Sequence, residues 1–469
     1  MKKNVFCVHG HFYQPPRENP FTGMIPKEPG AAPFDNWNER IYEQCYKPNA
    51  ECGNFSRISF NIGPTLANWM EKFHPETMEL IQNQEKSVYQ KFGIGNGMAQ
   101  AYNHTILPLA TLEDKITQVK WGITDFKYRF GHDPEGMWLP ECAVDLETLQ
   151  VLQEAGIKYT ILAPWQAKTK TPLDVSHPYN VNLPNGKQIA IFFYQSDISM
   201  KVSFVPEATV NADVFLKDEL LPLYPDSSRK ERCFIIASDG ELYGHHQPFR
   251  EKFLDWLTTG ALQKQDIEIM FPGVWLRNYP PDKTIKIIND TSWSCHHGIK
   301  RWAAECGCAE HGEYKAPLRR AFNHIAEIVD FEMQKMLKPY GIELLDFRNE
   351  YGLVLTHQET AENQLYRILG TTKIKPEEKN SLLKIMQAQY ERQRMFSSCG
   401  WFFGDFDRIE AQNDIAYASR AVDLTNEASG NNYNKQVHRY LSKVKSFTSG
   451  LKASTVFDNM VNYHGDILD

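Results

Sequence analysis

Glu135-Gly-Met-Trp-Leu-Pro-Glu-Cys142 is an apolar run that delivers a carboxylate, Glu141, directly after Pro140. A second run, Phe234-Ile-Ile-Ala-Ser-Asp-Gly-Glu-Leu-Tyr-Gly244, delivers Asp239 in the same way. Short apolar runs bounded by Pro or Gly fit buried strands, so each reads as a strand whose exit carries an acid.

Outward from these two runs the pattern recurs. Residues 5–8 read as a buried strand ending in His9-Gly-His-Phe-Tyr-Gln-Pro-Pro16, which puts two imidazoles at a strand exit. The segment from there to about Asn54 is rich in Pro, Gly and Asn and reads as a long loop. Residues 57–62 alternate as a strand, and Gly63-Pro64-Thr65 opens a helix carrying Leu66, Trp69 and Met70. A glycine-rich turn follows at 93–100. Ile116, Val119, Ile123 and Phe126 then mark a helix over 112–130. Residues 137–139 form the next strand, and Leu146, Leu149, Leu152 and Ala155 a helix that stops at Gly156. Further strands are predicted at 159–163, 189–194, 233–237 and 267–271.

Strands alternating with helices predict a parallel sheet, open or closed into a barrel, in which ligands bind beyond the C-terminal strand ends. His9, His11, Glu141, Trp165 and Asp239 all fall just past such ends. After about residue 300 the pattern turns helical, with one helix marked by Leu318, Phe322, Ile325, Val329 and Met336. Leu382, Met386 and Tyr390 mark a second, and Tyr433, Val437, Leu441, Val444 and Phe447 a third. Two domains follow, a catalytic barrel over 1–300 and a helical domain over 301–469 that packs on it and borders the cleft.

Composition narrows the class. The chain has 469 residues, 42% hydrophobic and 23% charged, with a formal net charge of −7, so no basic surface marks it as a nucleic-acid binder. No run is long enough for a membrane span, and the apolar stretch after Lys2 and Lys3 is too short for a signal peptide. A cytoplasmic protein is expected, with its nine scattered cysteines reduced.

Two acids at strand ends beside Trp and His suit glycosidic bond cleavage, in which one carboxylate attacks or activates water and the other protonates the leaving oxygen. His9-Gly-His-Phe-Tyr-Gln-Pro15, Gly95-Asn96, Trp138-Leu-Pro-Glu141, Asp239-Gly-Glu-Leu-Tyr-Gly244 and Ser292-Trp-Ser294 resemble, in order, the five sequence regions of glycoside hydrolase family 57. Tyr102-Asn-His-Thr-Ile-Leu-Pro-Leu109, Cys306-Gly-Cys308 and Ser397-Ser-Cys-Gly-Trp-Phe-Phe403 resemble a branch described as α-amylase/α-mannosidase with a following domain of unknown function.

The resemblance implies an incomplete (β/α)7 barrel followed by a mainly α-helical domain. It also implies a retaining glycosidase or transglycosidase on α-linked glucans, needing no cofactor, with Glu141 the nucleophile and Asp239 the acid/base. His9, His11, Gln14, Asn96, Trp138, Trp165, Glu241, Trp302 and Trp401 are the expected substrate-binding residues. Two departures stand out: His9 and Gln14 are two residues further apart than in the compact His-x-Gln-Pro form, and Gly93-Ile-Gly-Asn-Gly97 lacks a following Glu.

Other readings stay open. His9-x-His11 could bind metal in a carbohydrate deacetylase or a zinc mannosidase, but no Asp-rich ligand set accompanies it. His245-His246 and His296-His297 are adjacent pairs, which point in different directions. Cys306-Gly-Cys308 with His311 has only Cys295 near enough as a fourth ligand, so its thiols are expected to be metal-free. A non-catalytic glycan binder is the third alternative.

Overall fold

The computed structural model describes residues 4–225 and 231–465; residues 1–3, part of the amino-terminal stretch considered above, lie outside these. Eleven strands occur among the described residues: β1 (Asn4–Phe12), β2 (Ser59–Ile62), β3 (Ala99–Gln100), β4 (Met137–Trp138), β5 (Tyr159–Leu162), β6 (Ala167–Lys168), β7 (Tyr179–Asn182), β8 (Gln188–Phe193), β9 (Arg232–Asp239), β10 (Glu268–Ile269) and β11 (Lys286–Ile287).

β1 is the axis of the first unit. It pairs in parallel with β9 along its length, from Asn4 opposite Arg232 to His11 opposite Asp239. Its other edge is shared, with β10 beside Val5 and Phe6 and β2 beside residues 9–12. Every β1 residue from Val5 to Phe12 is buried, as expected for a parallel strand covered on both faces. Burying each large apolar side chain in it is worth about 1.5–3 kcal/mol.

Beyond β2 the ladder thins to single bridges, Phe60 to Gly97 and Gly136 to Tyr159, which flank the parallel pair β3–β4. β5 pairs in parallel with β8, and β7 adds an antiparallel edge. Hydrogen bonding thus divides the strands into four sheets, and the ladders alone do not draw one continuous barrel wall. The architecture is mixed α/β followed by a helical region.

The residues group into two compact units, the first comprising Met1–Gln14, Lys27–Gln100 and Phe126–Asn289. The second takes Asp290–Asp469 and also two earlier excursions, Pro15–Pro26 and Ala101–Asp125, which a single boundary near residue 300 leaves out. Buried polar contacts account for both excursions. Asp114 meets Arg392 at 2.6 Å and Arg348 at 3.0 Å, Trp121 Nε1 donates to the Arg348 carbonyl at 3.0 Å, and Glu18 pairs with Arg394. The second unit's helices are led by Lys315–Leu337, Pro376–Arg394 and Ile409–Ser429.

Three local expectations change. Much of the predicted loop before Asn54 is helical over 37–51, with Asn36 accepting a bond from the Glu39 amide as N-cap and Ile41, Tyr42, Cys45 and Tyr46 buried along one face. Ile409–Ser429 is a full helix that no predicted element covers. The helix marked by Tyr433 ends at Leu441, so Val444 and Phe447 lie beyond it.

Candidate active site

The two acids leave their strands by different routes. β4 has only two residues before Leu139 and a tight turn over 140–142. Pro140 stiffens its start, and Glu141 and Cys142 both adopt left-handed backbone, with φ of 57° and 48°. Such conformations cost non-glycine residues roughly 1–3 kcal/mol each and persist where the surroundings over-determine them. Gln166 supplies part of that determination: its Nε2 donates to the Cys142 carbonyl at 2.7 Å and its Oε1 accepts from the Ala163 amide at 2.8 Å. Glu141 is half-buried in this turn.

Asp239 instead ends a fully paired strand, opposite His11. Its side chain opens to solvent but stands against a protein wall. That desolvation, and then the charge of Glu141, raise its carboxyl to about 7. The thiol of Cys142 feels the same pair: burial pushes it well up, and the charges of Glu141 and then Asp239 push it further. Cys142 is therefore a neutral packing thiol beside two interacting carboxyls.

Glycine shapes the second acid's surroundings. A Cβ on Gly240 would lie 2.3 Å from the Phe12 ring, and one on Gly10 2.7 Å from it, so a single aromatic ring occupies the space over both strands. Two residues past Asp239, Glu241 is buried, accepting from the Tyr13 amide at 3.1 Å and the Tyr46 hydroxyl at 2.7 Å. Burial raises its carboxyl to about 8, the Tyr46 hydrogen bond opposes this, and the charge of Asp239 adds to the rise. Glu241 therefore ties the chain after β1 to the exit of β9. Gln14 is buried close to Tyr46, and its carbonyl accepts from the Thr65 hydroxyl at 2.5 Å.

A polar layer crosses the strand ends. His9 Nδ1 lies 3.0 Å from Ser59 Oγ, and His9 Nε2 and His11 Nδ1 lie 3.3 and 3.1 Å from Asn61 Oδ1. Asn61 donates onward to Gln100 Oε1 at 2.7 Å. Both imidazoles stack on Trp138, with ring centroids 4.5 and 5.5 Å away. Burial holds His11 down to about 4, and burial followed by the neighbouring His11 holds His9 down to about 3, so both rings are neutral at pH 7. His9 and Trp138 have no exposed surface.

The remaining candidates separate. Trp165, past β5, is 46% exposed, with its ring edge-on to Tyr194. Asn96 is buried and spends its amide nitrogen on the Phe55 and Ile58 carbonyls, holding a loop. Trp302 and Trp401 belong to the second unit and are wholly buried; Trp401 lies under the Arg319 guanidinium at 4.2 Å and edge-on to Phe322. Sequence reasoning passed over Asn61, Gln100, Tyr46 and Gln166, although the Asn between apolar residues in Phe60-Asn61-Ile62 is the kind of inward polar residue that signals a site.

Among the described residues, no set of His, Cys, Asp and Glu at these strand ends brings three ligand atoms together for a metal. One hollow of about 830 Å³ is lined in part by Glu268 and Ile269, which pair with the start of β1, and it holds neither acid.

Comparison with known proteins matches two successive stretches of the chain. The family model for "Glycosyl hydrolase family 57" matches residues 7–288, and a "Domain of unknown function (DUF3536)" matches 311–464. "Alpha-amylase 1" of Dictyoglomus thermophilum is 25% identical over 290 residues, covering 51% of this chain and 39% of that protein. A "4-alpha-glucanotransferase" of Thermococcus litoralis is 22% identical over 258 residues, covering 52% and 36%. The chain thus spans well under half the length of these relatives. Among solved structures, an exo-type maltose-forming amylase from Pyrococcus sp. ST04 superposes with a TM-score of 0.76 at 16% identity, covering 98% of this chain and 88% of that one.

Proposed function

This chain belongs to glycosyl hydrolase family 57, and within that family we propose that it cleaves or transfers α-linked glucosyl units by double displacement on Glu141 and Asp239. The observation that carries the reading is the electrostatic pairing of the two acids, in which the charge of Glu141 helps hold the Asp239 carboxyl at about 7. A carboxyl held near 7 keeps a share of its protons at neutral pH and can both give and take one, which is what the acid/base of this reaction needs.

In the first half-reaction, Glu141 attacks the anomeric carbon as Asp239 gives its proton to the departing glycosidic oxygen. In the second, Asp239 takes a proton from water or an acceptor hydroxyl, which displaces Glu141 from the sugar. Such a mechanism places the carboxyls ~5–5.5 Å apart. His9, His11 and Trp138 form the wall behind them, Trp165 offers an aromatic face to a sugar ring, and Glu241 with Gln14 positions the turn next to Asp239.

We read β1, β2, β3, β4, β5, β8 and β9 as the strands of a (β/α)7-type barrel. The bond from the Gln195 amide to the Ile235 carbonyl, at 2.7 Å, supports closure between β8 and β9. The substrate is an oligo- or polysaccharide. A cytoplasmic setting fits nine cysteines of which none is in a disulfide.

The test is covalent trapping. Asp239→Ala incubated with an activated α-glucosyl fluoride should gain one glycosyl mass, located by peptide mass spectrometry on Glu141. An Asp239→Ala chain that turns over the fluoride yet never carries the adduct would sink double displacement. Product analysis on amylose against short maltooligosaccharides separates hydrolysis from transfer.

A further inference from the structure

Cys295, His297, Cys306 and Cys308 bring one ligand atom each into a group whose members all lie within 4.8 Å of one another. The Cys295 sulfur is 3.5 Å from that of Cys306 and 3.7 Å from that of Cys308. His297 Nδ1 is 3.2 Å from the Cys306 sulfur and 3.4 Å from the Cys308 sulfur. We propose that these four side chains bind a structural Zn²⁺ in a closed Cys₃His site within the second unit.

The edges of the group carry the assignment. Zn–S bonds of ~2.3 Å and a Zn–N bond of ~2.0–2.1 Å, set tetrahedrally, give S···S edges of about 3.8 Å and S···N edges of about 3.5 Å. The observed edges fall within a few tenths of an ångström of these values. They do not fit a disulfide, whose sulfurs sit ~2.05 Å apart. Three soft sulfurs and one imidazole select zinc over a hard, oxygen-seeking cation, and four protein ligands leave no open position for chemistry.

The local fold presents the ligands in two tight turns. In Cys295-His-His-Gly298 the Gly298 amide donates to the Cys295 carbonyl at 3.1 Å. Gly298 has φ of 71°, and a Cβ there would meet the Asp290 carbonyl oxygen at 2.0 Å, so only glycine fits this turn. In Cys306-Gly-Cys-Ala309 the Ala309 amide donates to the Cys306 carbonyl at 3.1 Å. His297 faces the sulfurs, while His311 stacks on Phe447 at 4.1 Å instead. The expectation of metal-free thiols is revised accordingly.

Charge around the group supplies a second, independent indication. Zn²⁺ with three thiolates and a neutral imidazole carries a net charge of −1. Lys315 is fully buried within electrostatic reach of all three sulfurs, and its ammonium has no hydrogen-bond partner among the described residues. Arg301 donates to the Cys308 carbonyl at 2.9 Å. Besides these sulfurs and the Tyr314 ring, 5.9 Å from its nitrogen, Lys315 has no counter-group among the described residues. A buried cation without a hydrogen-bond partner is costly unless an anion offsets it, and a Zn(Cys)₃His centre is such an anion. The ion would pin residues 290–314, which contain no strand and only the short turns Lys300–Trp302 and Gly312–Tyr314, ahead of the helix Lys315–Leu337.

The test uses the full chain purified without an affinity tag or metal resin. Elemental analysis should find roughly one zinc per chain, lost in Cys306→Ser and kept in His297→Cys, which supplies a fourth thiolate. Chain produced in cobalt-supplemented minimal medium should show thiolate-to-cobalt charge-transfer bands and the intense visible bands of tetrahedral Co²⁺. If Cys306→Ser does not fold, the wild-type cobalt spectrum decides alone. Wild-type chain free of metal, a Cys295–Cys306 disulfide in unreduced peptide maps, or zinc retained equally in Cys306→Ser would each overturn the assignment.

Discussion

Glu141 and Asp239 sit at the ends of two strands in the same unit, yet the strands hold them in opposite ways. β9 carries Asp239 on eight residues paired without a break to β1, so its position is fixed by the ladder. β4 offers two residues, and Glu141 is aimed by a left-handed turn that Gln166 braces. One acid is placed by regular structure and the other by local strain. On the proposed mechanism, the strained backbone carries the group that changes its bonding to carbon, whereas the regular strand carries the group that only moves a proton.

That contrast gives the largest expected effect. Glu141→Gln should abolish release of reducing ends from amylose, while Asp239→Asn should lose about 10²–10⁴-fold in kcat, the range for removing a general acid/base. Equal losses from the two substitutions would erase the distinction between them.

Titration sharpens it next. With the Asp239 carboxyl at about 7, the proton needed by the leaving group is lost as pH rises through that value, and activity on unactivated glucans should fall on the alkaline side. The same shift makes a stability statement. A carboxyl whose folded pKa lies above its unfolded value favours the fold at low pH and ceases to do so as pH rises through the folded value. Asp239→Asn should therefore melt above wild type at pH 8, with the difference shrinking at pH 5. Melting curves at the two pH values check it, and an Asp239→Asn chain less stable at pH 8 would contradict the assigned direction.

Gln166→Ala strikes the brace and spares both acids. It leaves the buried Cys142 carbonyl and Ala163 amide without this partner, a cost of about 1–3 kcal/mol in denaturant unfolding. A drop in kcat with little change in KM would show that the turn aims Glu141; no kinetic change would show that the turn holds itself. The smallest effect belongs to Trp165→Ala, which should raise KM for maltooligosaccharides a few-fold with kcat nearly kept, as measured by initial rates.

What the sequence made legible follows from which signals are local. The helix Leu112–Phe130 and the stop at Gly156, with φ of 93°, could be read because periodicity and a left-handed glycine are properties of a few neighbouring residues. The helix Ile409–Ser429 escaped because its buried face mixes small and polar residues such as Ala411, Asp414, Ala418, Ser419 and Ala421 with the large apolar ones, which blurs the apolar stripe. The helical stretch over 37–51 hid behind Pro, Gly and Asn, although the spacing of Ile41, Tyr42, Cys45 and Tyr46 carried its signal. The pairings of Glu18 with Arg394 and Asp114 with Arg392 join residues far apart in the chain, so no local pattern announces them.

In the candidate site, the acids were legible as types at strand ends, whereas His9 and His11 lie inside β1, which runs four residues beyond the strand predicted over 5–8. The backing of these side chains was not legible, since Gln166, Asn61 and Tyr46 matter through partners on other elements. The same limit applies to the cysteine cluster. Spacing picked out Cys295, Cys306 and Cys308, but only the fold shows that His297, rather than His311, turns toward them.

The Phe12 ring, lying over Gly10 and Gly240, has a consequence for how this sequence can vary. While the phenyl group stays, a mutational library should return glycine almost alone at both positions. A smaller side chain at 12 should open positions 10 and 240 to alanine together. Two segments separated by more than two hundred residues in the chain are thus expected to covary through one ring, and a graft carrying either segment would have to carry the other.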